Sequence, residues 1–270
     1  MKIGNREFKD SGKTYIMGIL NVTPDSFSDG GKYNDVDRAL FHVEEMIKEG
    51  ADIIDIGAES TRPGYTKVEG LKELNRVVPV LRAVKRRFDV PISIDTYKAG
   101  TAVTVINEGA DLINDVTGLK GDEKMAETIA MGKVACCLVH NRKSGEYNIF
   151  LRDIIHDLEE SLDIAKRGGI RKDRIILDPG IGFGKSREQN LVLLKHLDEL
   201  SEFSLPMLLG ASKKSVIGRT LGVDVDSRGE GTLVTTALAV MHGYSFVRVH
   251  DVEANKRAIE MAEAIKYSDM

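Results

Sequence analysis

The stretch Ile92-Ser-Ile-Asp-Thr-Tyr-Lys-Ala-Gly-Thr-Ala-Val-Thr-Val-Ile-Asn-Glu-Gly-Ala-Asp-Leu-Ile-Asn-Asp115 contains a whole structural unit. A short apolar run, Ile92–Ile94, ends in the polar pair Asp95-Thr96. Residues 98–108 read as a helix, and a second run, Leu112–Asn114, ends in Asn114-Asp115. A strand with one face in water would alternate apolar and polar residues. These runs do not, so they read as strands buried on both faces, joined by a crossover helix.

The same unit recurs along the chain. Further runs are Tyr15–Leu20, Ile53–Ile56, Val134–Val139, Ile175–Leu177, Met207–Leu209 and Phe246–Val249, which with the first two makes eight. Helix-like stretches follow each of them, at 36–49, 68–88, 98–108, 123–131, 151–167, 187–200, 228–242 and 252–266. In the first, Val36, Leu40, Val43 and Ile47 recur every three or four residues and Gly50 ends the helix. Pro79 predicts a kink or a restart in the second. Strand starts lie about 20 to 41 residues apart, enough for a helix each time. Eight such units predict an α/β protein with the (β/α)8 TIM-barrel fold. It would be a single domain over 1–270, with 1–13 a short N-terminal extension and 14–267 the barrel. The alternative, an open doubly wound sheet, would carry a dinucleotide fingerprint after its first strand, and none is present.

Composition agrees with one large domain. The chain has 270 residues, 42% hydrophobic and 30% charged, which excludes wholesale disorder. A net charge of −4 argues against a partner gripped through nucleic-acid phosphates. The absence of Trp and an aromatic content of 6% argue against stacking on single-stranded bases. Cys136 and Cys137 are adjacent, so they form neither a disulfide framework nor a metal-ligand spacing, and they read as core residues. No apolar run is long enough to span a membrane, and Met1–Lys9 lacks the apolar stretch of a signal peptide. A cytoplasmic location is expected.

In a barrel of this kind the active site lies at the C-terminal strand ends. Polar and glycine residues collect there. The first run is followed by Asn21 to Gly31, the second by Gly57 to Gly64, and the fifth by His140-Asn-Arg142. The sixth leads into Asp178-Pro-Gly-Ile-Gly-Phe-Gly-Lys185 and the seventh into Gly210 to Ser215. The eighth carries Arg248-Val-His-Asp251. Asp95, Asn114 and Asp178 would read the donor-rich edge of a guanidine-like heterocycle, since a carboxylate accepts two N–H bonds side by side. Arg62, Lys214, Arg248 and His250, with Asn21 as oxygen ligand to a divalent metal, would hold a polyanion such as pyrophosphate. Plainer readings compete. Asp115 and Asp251 fit helix caps, and glycine loops are often only turns. The segment from Gly180 to Ser186 is no phosphate-binding P-loop, because that spacing needs Gly where Pro179 stands.

Seven motifs, in order, resemble the dihydropteroate synthase family. They are Gly18-Ile-Leu-Asn-Val-Thr-Pro-Asp-Ser-Phe-Ser-Asp-Gly-Gly31, Ile54-Asp-Ile-Gly-Ala-Glu-Ser-Thr-Arg-Pro-Gly64, Ile92-Ser-Ile-Asp-Thr96, Ile113-Asn-Asp115, Leu177-Asp-Pro-Gly-Ile-Gly-Phe-Gly184, Ser212-Lys-Lys-Ser215 and Val247-Arg-Val-His-Asp251. The resemblance implies an Mg2+-dependent, commonly homodimeric transferase of folate biosynthesis, the sulfonamide target. Such an enzyme condenses 6-hydroxymethyl-7,8-dihydropterin pyrophosphate with p-aminobenzoate. It further implies that Asp95, Asn114, Asp178 and Lys214 hold the pterin. Asn21 would bind the metal and pyrophosphate, Thr61, Arg62, Arg248 and His250 the pyrophosphate, and Phe27, Pro63, Phe183 and Ser215 the aminobenzoate. Asp29, Thr61, Arg62 and Lys214 would be catalytic.

The residues suit that chemistry. Gly30, Gly31, Gly57 and Gly64 would let two long loops act as lids, excluding water so that the amine captures the pterin methylene. Ser215, opening a helix, would offer backbone N–H groups to a carboxylate. Two positions depart from the common pattern. Lys213 stands where Arg is usual and loses the planar fork, and Val139 stands where Met is usual. Two other readings of the pterin-binding residues are a methyltetrahydrofolate–corrinoid methyltransferase and a non-catalytic paralogue. Neither would need Asn21, Asp29, Thr61 and Arg62 together.

Overall fold

Two short strands, β1 (Lys2–Ile3) and β2 (Arg6–Glu7), pair as an antiparallel hairpin ahead of the main sheet. Eight parallel strands follow: β3 (Tyr15–Asn21), β4 (Ile53–Gly57), β5 (Ile92–Asp95), β6 (Leu112–Asp115), β7 (Ala135–Val139), β8 (Ile175–Asp178), β9 (Leu208–Leu209) and β10 (Phe246–Val249). This is a computed structural model in which residues 1–9, 12–22, 32–59 and 69–268 are described. The strand order is β8-β7-β6-β5-β4-β3-β10-β9. The ring is closed by a parallel bridge between Leu177 and Met207, beside which the Leu177 N–H donates to the Pro206 carbonyl at 3.0 Å. The fold is therefore the (β/α)8 barrel expected from the eight runs.

The helices are α1 (Lys32–Glu49), α2 (Gly70–Arg87), α3 (Ala99–Asn107), α4 (Met125–Gly132), α5 (Phe150–Arg167), α6 (Arg187–Lys195), α7 (Ser215–Leu221), α8 (Gly229–Met241) and α9 (Val252–Lys266). Three details differ from expectation. Helix α2 runs through Pro79 without a restart. Pro79 and Asn75 are both exposed, so the carbonyl that the proline leaves unpaired can turn to water. The stretch expected as helix 187–200 splits after Lys195, and a 3-10 turn takes over at Leu197–Phe203. Its three-residue period stacks Leu197, Leu200 and Phe203 on one face against the core. Between β9 and α8 lies the additional short helix α7, capped at Gly222.

Alternate residues of each strand pack into two separate cores. Ile16, Leu20, Ile54, Ile56, Ile113, Leu138, Leu177 and Val247 face the helices. Met17, Ile53, Leu112, Cys137, Ile176, Leu208 and Phe246 fill the barrel interior. Both surfaces of the sheet are apolar, which is why the runs in the sequence do not alternate. Cys136 and Cys137 fall one on each side and are free and buried. Among the described residues no helix is long and apolar enough to cross a membrane.

The interior core has a floor. Ile3 and Phe8, from a stretch that reads as polar, join it from the hairpin. The Phe8 ring packs on Tyr15 and Phe246 with centroids 4.9 and 5.5 Å away. Phe8→Ala should cost about 3 kcal/mol, the usual scale for deleting a buried ring. Urea denaturation followed by circular dichroism checks this; an unchanged midpoint would mean that the hairpin is not part of the cooperative unit.

Candidate active site

Strand parity decides which polar residues meet. Asp55 and Gly57 share a side of β4 with Ile53, and Ser93 shares a side of β5 with Asp95. On the same principle Asn114 goes with Leu112, Asp178 with Ile176 and Arg248 with Phe246. Ile53, Leu112, Ile176 and Phe246 belong to the interior core, so the polar residues stack above them at the C-terminal mouth. Asn21, Gly57, Asp95 and Asn114 are successive neighbours in register. The strands extend into these polar ends, so the groups ride on sheet rather than on loops.

Arg248 organises one side of the mouth. Its Nε donates to Asp55 Oδ2 at 2.7 Å and its Nη2 to Asp95 Oδ2 at 2.9 Å. Asp55 is fully buried and also accepts from Ser93 Oγ. Burial pushes the Asp95 carboxyl up to about 7; Arg248 opposes the rise and Asp55 adds to it. Burial by itself would lower Arg248, but Asp55 and Asp95 outweigh it and hold the guanidinium charged. Its Nη1 makes no hydrogen bond among the described residues. Asn114 Oδ1 is buried without a partner among them, the signature of a group awaiting a donor.

Lys214 organises the other side. Its ammonium bonds the Ile181 carbonyl and lies 4.4 Å from the centre of the Phe183 ring. Burial pulls Lys214 down to about 8, against the attraction of Asp178. Asp178 is itself raised by burial, opposed by Lys214, and its Oδ1 accepts from the Gly180 N–H at 2.7 Å. Ser212 Oγ contacts His250 Nδ1 at 2.9 Å, and Ser215 opens α7 next to Lys214. Lys213 has a left-handed backbone, φ 55°, held by Thr232 Oγ1 at its N–H and by Arg228 at its carbonyl.

The structure thus gathers Asn21, Asp95, Asn114, Asp178, Phe183, Lys214, Ser215, Arg248 and His250 around one end of the barrel. Phe27, Asp29, Thr61, Arg62 and Pro63 lie outside the described residues. Asp115 turns away to accept from Thr117 and the Leu119 N–H, and Asp251 caps α9 through the Ala254 N–H. Asp251 is therefore a helix cap, whereas Asp115 closes the turn after β6 and caps no helix, since α4 starts only at Met125. Asp55 was hidden in the sequence inside an apolar run. The signal that could have found it is its two-residue offset from Gly57, which puts it on the interior side.

A sequence model of the pterin binding enzyme family matches residues 17–250. Over 266 residues the chain is 54% identical to the dihydropteroate synthase of Clostridium beijerinckii, covering 98% of this chain and 99% of that one. A crystal structure of dihydropteroate synthase from Clostridium difficile in the presence of pteroic acid superposes with a TM-score of 0.93 at 45% identity, covering 99% of this chain and 100% of that one. A Yersinia pestis dihydropteroate synthase in complex with a sulfonamide drug gives 0.93 at 40% identity, covering 99% of each. The chain belongs to the dihydropteroate synthase family of pterin-binding enzymes.

Proposed function

We propose that this chain condenses 6-hydroxymethyl-7,8-dihydropterin pyrophosphate with p-aminobenzoate, giving 7,8-dihydropteroate and pyrophosphate. The carrying observation is the superposition, over nearly its whole length, on a dihydropteroate synthase seen with pteroic acid. Asp95, Asn114 and Asp178 take the pterin N–H groups, the unpaired Asn114 Oδ1 among the acceptors. Lys214 holds the pterin on one side and meets the Phe183 ring, beside which the aminobenzoate lies, with its carboxylate at Ser215. The Nη1 of Arg248, which makes no hydrogen bond among the described residues, faces the pyrophosphate with His250. The roles given to Phe27, Asp29, Thr61, Arg62 and Pro63 belong to the same proposal.

The bond from the pterin methylene to the pyrophosphate oxygen breaks first and its electrons leave with the pyrophosphate. The amine lone pair then forms the C–N bond and the nitrogen sheds a proton. Exclusion of water keeps the electrophile for the amine. The residues present fit Mg2+. Asn21 Oδ1 lies at a strand end against the bare face of Gly57. A neutral amide oxygen in that place is a donor of the kind that joins substrate phosphates around Mg2+. When bound it would offset charge developing on the leaving pyrophosphate.

A homodimer is proposed as well. Leu191 and Val192 of α6, Leu221 of α7, and Val234 and Met241 of α8 are exposed apolar residues on successive helices that touch. A second copy over them would withdraw that surface from water. A cytoplasmic location suits the two buried free thiols.

Purified protein given both substrates and Mg2+ should form dihydropteroate and pyrophosphate, and chelator should abolish turnover; no product would end the reading. Without aminobenzoate it should still release pyrophosphate slowly, and total dependence of release on the amine would refute the dissociative order. Asp178→Asn should lose pterin binding with its far-UV spectrum intact; calorimetry that finds unchanged affinity sinks that role. Sedimentation equilibrium should return about twice the chain mass of 29.7 kDa, and a monomer at assay concentration would contradict the dimer.

A further inference from the structure

The turn from Gly180 to Phe183 carries both partners of Lys214, the Ile181 carbonyl and the Phe183 ring. It closes through the Phe183 N–H to the Gly180 carbonyl at 3.1 Å. A second ammonium grips the same turn. Lys185 Nζ donates to the Gly180 carbonyl at 2.9 Å and to the Phe183 carbonyl at 3.1 Å, and it meets His140 Nδ1 at 2.8 Å. Burial pulls Lys185 down to about 7, with Lys214 adding to the fall and Asp178 opposing it; in its ammonium form the two carbonyls and Nδ1 take its three N–H donors.

Asp157 settles the histidine. Arg142 and His140 hold its carboxyl below the usual range against burial, and a carboxylate only accepts, so the ring proton sits on Nε2, 2.9 Å from Asp157 Oδ2, and Nδ1 accepts from Lys185. Burial, with Lys185 adding to it, pulls His140 down to about 3, so the ring is neutral as acceptance requires. Asp157 is fixed in turn by Arg142, whose Nε and Nη2 each donate to it at 2.8 Å. The backbone leaves no slack either. Gly180 and Gly184 have φ of 70° and 58°, and a Cβ on them would lie 1.8 Å from the His140 carbonyl oxygen and 1.9 Å from that of Arg142.

We infer that Lys185 is a positioning residue for aminobenzoate. By tying both carbonyls of the Gly180–Phe183 turn to the His140–Asp157–Arg142 chain, it holds Phe183 and the Ile181 carbonyl where Lys214 meets them. The inference rests on the proposed function, in which Phe183 and Lys214 flank the aminobenzoate. Asp95 and Asn114 end strands apart from this clamp, and Asp178, which accepts from the Gly180 N–H of the clamped turn, is also held by its own strand β8.

Steady-state kinetics on the full chain test it. Removing the ammonium in Lys185→Met should raise the KM for aminobenzoate about tenfold, the scale of one lost charge-assisted hydrogen bond. The KM for the dihydropterin pyrophosphate should stay within about twofold. An unchanged aminobenzoate KM, or equal rises in both constants, overturns the inference. An inactive wild-type protein would instead remove the functional reading beneath it. Nitrogen-15 histidine spectra of the wild type test the clamp without any variant. They should show His140 neutral and protonated on Nε2 at neutral pH; a proton on Nδ1 overturns the clamp even if Lys185→Met does not fold.

Discussion

Arg248 is drawn between Asp55 and Asp95, and much of the mouth depends on that arrangement. A guanidinium among buried carboxylates has lost most of its water, and such pairs regain the loss only when geometry and extra hydrogen bonds are good. Here Asp55 has Ser93 as a further donor and Arg248 contributes two of its nitrogens. The arrangement holds Asp95 beside Asn114 in the register of the sheet. It also leaves one guanidinium nitrogen without a hydrogen bond among the described residues. A polar layer of this kind can exist in a barrel only because the layers beneath it, down to the Ile3 and Phe8 floor, are apolar and closed.

Strand parity explains how much of this was legible. Parallel strands with helices outside and side chains inside are apolar on both faces, so each run stood out by composition and eight of them implied a barrel. Their polar ends stood out for the same reason. Asp55 and Ser93 did not, because each is a lone polar residue within a run, and its meaning depends on which way its side chain points. The floor was hidden because Ile3 and Phe8 are isolated apolar residues in a polar stretch. Pro79 brings no restart of α2 because breaking a hydrogen bond matters less on a solvent-facing side of a helix. In sequence the 3-10 segment reads as a continuation of α6, because Leu197, Leu200 and Phe203 suit a period of three nearly as well as one of 3.6.

The part played by Lys185 is hidden in the sequence for a different reason. It sits in a glycine-rich segment whose only local likeness is to a P-loop, and Pro179 excludes that. Its partners His140 and Asp157 lie on β7's end and on α5, far away in sequence, so no local pattern joins them. Only the count of donors against acceptors in three dimensions does.

Charge at the mouth completes the picture. Asp55, Asp95 and Asp178 face Arg248 and Lys214, so the described groups carry no surplus of positive charge. Burial reduces the imbalance by raising Asp95 and Asp178, yet it also weakens Lys214 as a cation. A substrate arm as anionic as pyrophosphate would therefore be held poorly by these residues alone. The proposed mechanism meets this by giving the anion to an ion at Asn21 and to Arg62, on the segment after β4. The same division gives order to the reaction. In that proposal the strand-borne carboxylates hold the neutral pterin ring before and after the bond breaks, whereas Arg248 and His250 share the grip on pyrophosphate with the ion and Arg62, so the leaving group can be released while the ring stays in place.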